Sequence, residues 1–155
     1  TLAKWIDALE RLYAIIRIAP FGPPMVKAVK KQQKIYFYDW NSVTRDGSRF
    51  ENMVAVHLLK WVYHEQDIQG RNLDLRFYKD KYDREVDFVV IENGKPIHFI
   101  EAKLSDSEIT KGLKYLRSLY PKVKSSQVHL MGKKDYVSKE GIEHIPVSKL
   151  FSELY

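Results

Sequence analysis

The stretch REVDFVVIENGKPIHFIEAK, Arg84–Lys103, decides the fold of this chain. Two apolar runs flank Asn93-Gly94, a dipeptide that indicates a tight turn between antiparallel strands, so the stretch predicts a β-hairpin. Three charged residues interrupt the apolar pattern: Asp87 on the first strand, and Glu101 and Lys103 on the second. Because side chains alternate between the two faces of a strand, Glu101 and Lys103 must share a face.

The face that Asp87 occupies depends on the length of the turn. A two-residue loop, Asn93-Gly94, pairs Glu92 with Lys95. In a regular hairpin with that loop, Asp87 falls opposite Ile100 and points away from the charged pair on the second strand.

A three-residue loop, Glu92–Gly94 with Gly94 left-handed in a bulge, pairs Ile91 with Lys95 instead. Asp87 then falls opposite Phe99, on the face that carries the two charged residues of the second strand. Diagonal neighbours on one face lie about 7–8 Å apart, which is close enough for two carboxylates to share a cation. We predict the three-residue loop.

Charged side chains in an apolar hairpin need compensation, because unpaired buried charge is costly. A divalent cation is one solution, and hard carboxylate oxygens suit Mg²⁺ or Mn²⁺. Lys103 would then face the attacking water or the phosphate in metal-assisted phosphodiester hydrolysis. The alternative is a structural lysine–carboxylate pair, since Glu-x-Lys is a frequent sequence.

Composition narrows the class of protein. The chain has 155 residues, enough for one full domain, with 45% hydrophobic and 13% aromatic residues and no cysteine. No apolar run has the length of a membrane span and no signal-peptide pattern is present, so we expect a cytoplasmic protein without membrane contact. The net charge of +6 favours an anionic partner such as DNA. Because the chain opens with Thr1 in a helical pattern, we expect it to be part of a longer protein.

Residues 1–40 predict a helix followed by a β-hairpin. The apolar spacing over residues 2–14 is that of an amphipathic helix, and the runs Ile15–Ile18 and Lys34–Trp40 are β-like. Prolines and lysines separate the two runs. This order resembles the last helix and wing of a winged helix, so we assign residues 1–40 to the C-terminal part of one. The wing lysines either bind DNA or keep a loop soluble: Lys27, Lys30, Lys31 and Lys34.

Residues 41–155 predict the order helix, strand, strand, strand, helix, strand. The first helix starts near Ser48, with Glu51 either as its capping-box partner or as a third acidic group of the site. The second helix follows Lys103, capped by Ser105 or Ser107, and leads to a strand at Gln127–Met131. A crossover of this kind makes its strands parallel, whereas the hairpin is antiparallel. We therefore predict an α/β domain whose mixed central sheet is flanked by helices, with a terminal helix at residues 147–154.

An acidic residue on the first helix, Asp on the second strand and Glu-x-Lys on the third resemble the PD-(D/E)xK nuclease superfamily. Restriction endonucleases and archaeal Holliday-junction resolvases belong to it. The resemblance implies a restriction-endonuclease-like αβββαβ core for residues 41–155.

A closer resemblance covers nearly the whole chain. It is to the C-terminal domain of unknown function in archaeal and bacterial AAA-type ATPases, and it is carried by LERLYAIIRIAPF, KIYFYDW, RFENMVAVHLL, REVDFVVIENGKPIHFIEAK and HIPVSKL. Such proteins place a P-loop ATPase and a winged helix before this domain. The chain has no G-x-x-x-x-G-K-[ST] motif, so these residues do not hydrolyse ATP by that route. A homodimer is one arrangement that the resemblance allows.

The resemblance implies a role for each site residue. Asp87 and Glu101 would bind Mg²⁺ or Mn²⁺, with the backbone carbonyl of Ala102 as a further ligand. Glu51 would assist the metal directly or through water, and Lys103 would orient the attacking water. We thus expect a DNA nuclease domain; a non-catalytic DNA-binding or assembly module with the same fold is the alternative. The five histidines are expected to be structural: His57, His64, His98, His129 and His144.

Overall fold

The strands of this protein form a single mixed sheet. The computed structural model describes residues 1–22 and 32–155. Within them the strands are β1 (Ile15–Pro20), β2 (Lys34–Phe37), β3 (Leu73–Lys79), β4 (Glu85–Glu92), β5 (Lys95–Lys103), β6 (Lys124–His129), β7 (Tyr136–Val137) and β8 (Glu143–Pro146). The helices are α1 (Leu2–Arg11), α2 (Asp46–Gln69), α3 (Lys111–Leu119) and α4 (Val147–Leu154), with a short 3-10 helix at Trp40–Ser42.

The sheet order is β2-β1-β3-β4-β5-β6-β8-β7. The three central strands β3, β4 and β5 are antiparallel, and β6 and β8 continue the sheet parallel to β5. The connection from β5 to β6 passes through α3, as the crossover rule requires for parallel neighbours. The predicted α/β class with a mixed sheet flanked by helices is confirmed.

Apolar side chains cover both faces of the sheet. One core packs α2 and α4 against the sheet and includes Phe88, Val90 and Ile100. The other packs α3 against the opposite face and includes Val89 and Phe99. Strands buried on both faces read as continuous apolar runs, which explains the sequence of the central hairpin.

The prediction of a three-residue hairpin loop is wrong. Glu92 pairs with Lys95, and Asn93 and Gly94 both have positive φ (49° and 78°), so the loop has two residues. A bulge then shifts the register of β4 against β5 between Val90 and Ile91, because Ile91 pairs with Pro96 but Val90 pairs with His98. Asp87 therefore lies one step beyond the Phe88–Ile100 pair, across from Glu101 rather than Phe99.

A second irregularity lies at Asp87 itself. Tyr78 pairs with Val86 while Arg76 pairs with Val89, so two residues of β4, Asp87 and Phe88, face one residue of β3. Val86 and Val89 pack against α3, whereas Phe88 packs against α2. Val86 and Phe88 therefore lie on opposite faces although they are two residues apart, since a bulge breaks the strict alternation of faces.

The two main helices begin where the sequence did not indicate. Helix α2 starts at Asp46, so Ser48 lies inside its first turn and is not the N-cap. Helix α3 starts at Lys111, where Thr110 accepts a hydrogen bond from the N–H of Leu113. The caps predicted at Ser105 and Ser107 are therefore wrong, and Ser107 instead accepts a hydrogen bond from the side chain of Gln127.

The N-terminal hairpin is part of the main sheet. β1 pairs antiparallel with β2 and parallel with β3 through Ala19–Arg76 and Pro20–Phe77. Arg17 of β1 joins the strand to helix α1 through salt bridges with Asp7 and Glu10. The large apolar side chains of α1, such as Trp5, are mostly exposed. The helix and hairpin are thus as expected, whereas their assignment to a winged helix stays a prediction. Lys27, Lys30 and Lys31 lie outside the described residues.

The C-terminal part holds both a confirmed prediction and an omission. Helix α4 spans the predicted residues Val147–Leu154, but the strands β7 and β8 before it were not predicted. β6 is also earlier than expected, at Lys124–His129 rather than Gln127–Met131. In the described parts of the chain, no helix is both long and apolar enough to span a membrane.

The close approach of α3 to β4 leads to a stability prediction for Gly112. A Cβ at this position would overlap the backbone of Glu85, at 2.7 Å from its carbonyl carbon, whereas a Cβ at Gly47 in the first turn of α2 would meet nothing within 4 Å. We expect Gly112→Ala to lower the free energy of unfolding by about 1–3 kcal/mol or more through overpacking. Gly47→Ala, the matched control, should be neutral or stabilising by up to about 1 kcal/mol. Urea denaturation measures both, and equal effects would contradict the close packing.

Candidate functional site

Asp87 and Glu101 form the buried centre of the site. The backbone N–H of Asp87 donates to Oε2 of Glu101 over 3.2 Å, and the N–H of Ala102 donates to Oδ2 of Asp87 over 3.0 Å. The side chains of Asp87 and Glu101 are only 9% and 5% exposed. Each carboxylate is therefore held by the backbone of the opposite strand, so the bulged hairpin fixes both.

Lys103 closes one side of this centre. Its Nζ lies 2.8 Å from Oε1 of Glu101, and its side chain is 38% exposed. Because Lys103 follows Glu101 by two residues on β5, both extend from one face, as the sequence predicted. The ammonium group thus lies between the buried carboxylate and solvent.

Lys34 enters the same site from β2. Its Nζ lies 3.1 Å from Glu51, 2.7 Å from Glu85 and 3.2 Å from Asp87, and 5.6 Å from the ring centre of Phe77. Lys34 is thus turned into the domain among three carboxylates rather than outward on a basic loop. Its predicted role in DNA binding stays a prediction. In this arrangement its positive charge compensates the three carboxylates that surround it.

Glu51 belongs to the site rather than to a helix cap. It lies on α2, and its Oε1 accepts hydrogen bonds from Nζ of Lys34 and from the hydroxyl of Tyr36 at 2.7 Å. The capping-box reading fails because α2 begins two residues before Ser48. The four predicted residues Glu51, Asp87, Glu101 and Lys103 therefore come together from α2, β4 and β5.

The sequence reasoning missed three members of the site: Lys34 as a partner of the acids, Tyr36 and Glu85. Glu85 precedes Asp87 by two residues, a spacing that would have placed it on the same side of a strand. Lys34 and Tyr36 have the same spacing on β2, but nothing in the local sequence shows which strand they face. We call Glu51, Glu85, Asp87 and Glu101 the acidic cluster.

The crowding of the acidic cluster changes its protonation. Burial, followed by the charge of Glu51, raises the pKa of Asp87 to about 6, although Lys34 opposes the rise. Burial, followed by the charge of Asp87, raises the pKa of Glu101 to about 7, with Lys103 opposing. For Lys34, burial lowers the pKa, but Asp87 and Glu51 outweigh burial and raise it. Both lysines are charged. They only partly offset the burial and the neighbouring carboxylates that raise the pKa values of Asp87 and Glu101.

The donor set fits a hard divalent cation. Asp87 and Glu101 offer carboxylate oxygens, and a further positive charge beside them would lower their raised pKa values and favour the ionised forms. Among the described residues, the trio of His and carboxylate ligand atoms within 4.8 Å of one another lies elsewhere, so a metal here would be held by Asp87 and Glu101 and not by three side chains already gathered. The carbonyl of Ala102 as a further ligand stays a prediction.

The position of Lys34 leads to a stability prediction. Lys34→Gln leaves the carboxylates of Glu51, Glu85 and Asp87 without their shared cation. We expect a loss of about 2–3 kcal/mol in the free energy of unfolding, below the roughly 3–5 kcal/mol of a fully buried pair because the side chain is 22% exposed. Lys149→Gln, which removes the exposed pair with Asp135, is the control and should leave the free energy of unfolding nearly unchanged. Urea denaturation with a chelator present measures both, and equal losses would refute the role of Lys34.

The raised pKa values lead to a pH prediction. In the folded protein Asp87 and Glu101 hold protons that the unfolded chain releases above about pH 4, so their contribution to stability falls as pH rises through the folded pKa values. The stability of Asp87→Asn relative to the parent protein should therefore increase between about pH 4 and 8. His98, whose pKa burial lowers to about 3, is common to both proteins and cancels. Urea denaturation measures the free energy of unfolding of both proteins at each pH. A difference between them that stays constant across this range would contradict the raised pKa values of Asp87 and Glu101.

Comparison with known proteins identifies the family. Residues 46–150, more than half of the chain, match the family model described as Domain of unknown function (DUF4143). Neither the curated proteins nor the solved structures yield a match. The matched range contains Glu51, Asp87, Glu101 and Lys103. The chain is therefore a member of the DUF4143 family.

Proposed function

We propose that this DUF4143 domain has a restriction-endonuclease-like fold and hydrolyses phosphodiester bonds in DNA with Mg²⁺ or Mn²⁺. The observation that supports the proposal most directly is the convergence of Glu51, Asp87, Glu101 and Lys103. These residues come from three elements, and a bulge between β4 and β5 places Asp87 across from Glu101. Bulges that re-aim a side chain are frequent next to active sites.

Each residue has a role in the proposed reaction. Asp87 and Glu101 would hold the metal, which would supply Lewis-acid activation of the phosphate and of the attacking water. Glu51 accepts a hydrogen bond from the hydroxyl of Tyr36 and contributes a further carboxylate at the edge of the site. Lys103, half-exposed and 2.8 Å from Glu101, orients the attacking water and balances the charge that develops on the phosphate.

Lys34 has a defined place in this proposal. Its ammonium group occupies a position among Glu51, Glu85 and Asp87 that a cation favours, so it keeps the acidic cluster neutralised before metal binds. Because Lys34 lies closest to Glu85, at 2.7 Å, it would remain paired with that carboxylate beside a metal held by Asp87 and Glu101.

The context of the domain is part of the same proposal. The net charge of +6 favours DNA as the partner. The resemblance to AAA-type ATPases suggests that an ATPase domain and a winged helix act with it in a prokaryotic, cytoplasmic protein. A homodimer is a further arrangement of the same kind.

The position of Lys34 also favours a second candidate, a non-catalytic DNA-binding or assembly module with the nuclease fold. A site whose acids are satisfied by Lys34 and Lys103 needs no metal to be stable. In that case the cluster stabilises the corner where β2, α2 and β4 meet, and the wild-type protein does not bind Mg²⁺.

A titration of Mg²⁺ and Mn²⁺ with plasmid and branched DNA separates the two candidates. We expect saturable metal binding and cleavage by the parent protein. Asp87→Asn keeps an oxygen for the N–H of Ala102 but loses the charge, so it should lose both metal binding and cleavage. Lys103→Met should retain metal binding and lower cleavage by about 100-fold or more, the typical effect of removing a group that stabilises the transition state.

Lys95→Met provides the control, because Lys95 lies at the other end of β5 and is exposed. This variant should keep both metal binding and cleavage. Cleavage that persists in Asp87→Asn would identify a contaminating nuclease and contradict the proposal. Metal binding by none of the proteins would favour the non-catalytic module.

A further inference from the structure

A second set of ligand-type side chains lies beyond the acidic cluster. His129 ends β6, His144 lies on the neighbouring β8, and Asp106 lies between β5 and α3. Each contributes one nitrogen or oxygen atom to a trio in which all atoms are within 4.8 Å of one another. The side chains of His129 and His144 are only 1% and 0% exposed, so this is a nearly closed site.

The two histidines have ring nitrogens without partners. Within the residues that the structure describes, Nδ1 of His129 and both ring nitrogens of His144 are buried and make no hydrogen bond. A buried polar atom without a partner typically costs about 1–3 kcal/mol of stability. Three such atoms on two adjacent rings, whose centres are 5.4 Å apart, therefore require an explanation.

The surroundings hold these groups in orientations that suit metal binding. Nε2 of His129 lies 2.7 Å from the carbonyl oxygen of Lys134, so this nitrogen carries the proton and Nδ1 presents its lone pair. A metal-binding histidine commonly donates its other N–H to a backbone carbonyl in this way. The carboxylate of Asp106 is fixed likewise, because it accepts the N–H groups of Lys133 and Lys134.

Gly132 packs directly against His129 and Asp106. A Cβ at this position would lie 2.7 Å from Nδ1 of His129 and would also overlap Oδ1 of Asp106. Gly132 therefore allows Nδ1 of His129 and Oδ1 of Asp106 to lie close to each other. The two groups are both acceptors, so a cation between them would satisfy both.

We propose that Asp106, His129 and His144 form a binding site for a borderline divalent transition metal of the zinc class. Two imidazoles and one carboxylate are a ligand set that zinc adopts with three protein ligands and one open position. The same set disfavours Mg²⁺, which takes oxygen ligands. A bound metal would give one unpartnered nitrogen atom of each ring a partner.

The distance between His144 and Asp106 requires only a small contraction. Nε2 of His144 lies 3.9 Å from Oδ1 of Asp106. Nε2 of His129, which bonds the carbonyl oxygen of Lys134, also lies 3.7 Å from Oδ1 of Asp106. Ligand atoms about 2.1 Å from a tetrahedral metal lie roughly 3.4 Å apart. Asp106 lies outside the regular strands and helices, so its connection can supply this adjustment.

The proposed site is independent of the acidic cluster. It shares no residue with it, although His129 pairs with Lys103 across β5 and β6. The two sites also differ in ligand chemistry, nitrogen-rich in one and all-oxygen in the other. Their metal affinities can therefore be measured separately, and either site can fail without the other.

Titration of the chelator-treated 155-residue chain with Zn²⁺ and Co²⁺ tests the site. We expect binding of one equivalent that excess Mg²⁺ does not displace, an intense visible absorption from four-coordinate Co²⁺, and a higher Tm with Zn²⁺. Asp106→Asn and Gly132→Ala should each weaken Zn²⁺ binding at least tenfold, the first by removing a charged ligand and the second by displacing His129 and Asp106.

Asp135→Asn is the matched control, since Asp135 is an exposed carboxylate in the connection between β6 and β7, close in sequence to Gly132, and pairs with Lys149. This variant and Asp87→Asn should bind Zn²⁺ as the parent protein does. Circular dichroism confirms that each variant is folded, and His144→Gln gives a further test at a second ligand. Absence of Zn²⁺ binding by the parent protein, or equal affinity in Asp106→Asn and Asp135→Asn, would overturn the proposal. Loss of binding in Asp87→Asn alone would place the metal in the acidic cluster.

Discussion

The burial of two carboxylates on adjacent strands is the constraint on which the rest of the site depends. Asp87 and Glu101 are almost fully removed from solvent in the central hairpin. Such groups destabilise a fold unless hydrogen bonds and opposite charges compensate them. The backbone N–H groups of β4 and β5 supply the hydrogen bonds, while Lys34 and Lys103 supply the charges. The position of β2, which carries Lys34, is thus coupled to the centre of the domain.

Irregular strand pairing delivers these groups to one place. A regular hairpin with the observed two-residue turn would set Asp87 opposite Ile100. The bulge near the turn shifts the register by one residue, and the bulge against β3 reverses the alternation of faces at Asp87. Both irregularities interrupt ladder hydrogen bonds in the centre of the sheet. Their presence beside two buried acids indicates that the position of Asp87 is worth this loss in stability.

Much of the fold could be predicted from local patterns. The apolar runs predicted the central hairpin, because their periodicity is that of strands. The helix after Lys103 predicted a parallel neighbour for β5, because a crossover of that length joins parallel strands. The convergence of Glu51, Asp87 and Glu101 on one place also agreed with expectation, although the predicted turn was wrong.

What could not be predicted depends on contacts distant in sequence. Lys34 was expected on a basic wing, and only the tertiary arrangement shows that it faces acids 17 and 53 residues away. His129 and His144 were expected to be structural because each stands alone in the sequence, and β8, which brings them together, was not recognised. The short strand EHIP ends in proline and has few residues on which a period can be read.

The central claim is that the ammonium group of Lys34 occupies the place of a cation in the acidic cluster. Measuring the Tm of Lys34→Gln and of the parent protein as Mg²⁺ is added tests it most directly. If a divalent ion can replace the missing charge, Mg²⁺ will raise the Tm of the variant more than that of the parent protein, since the ion need not displace Lys34. Equal shifts, or no shift in the variant, would contradict the claim.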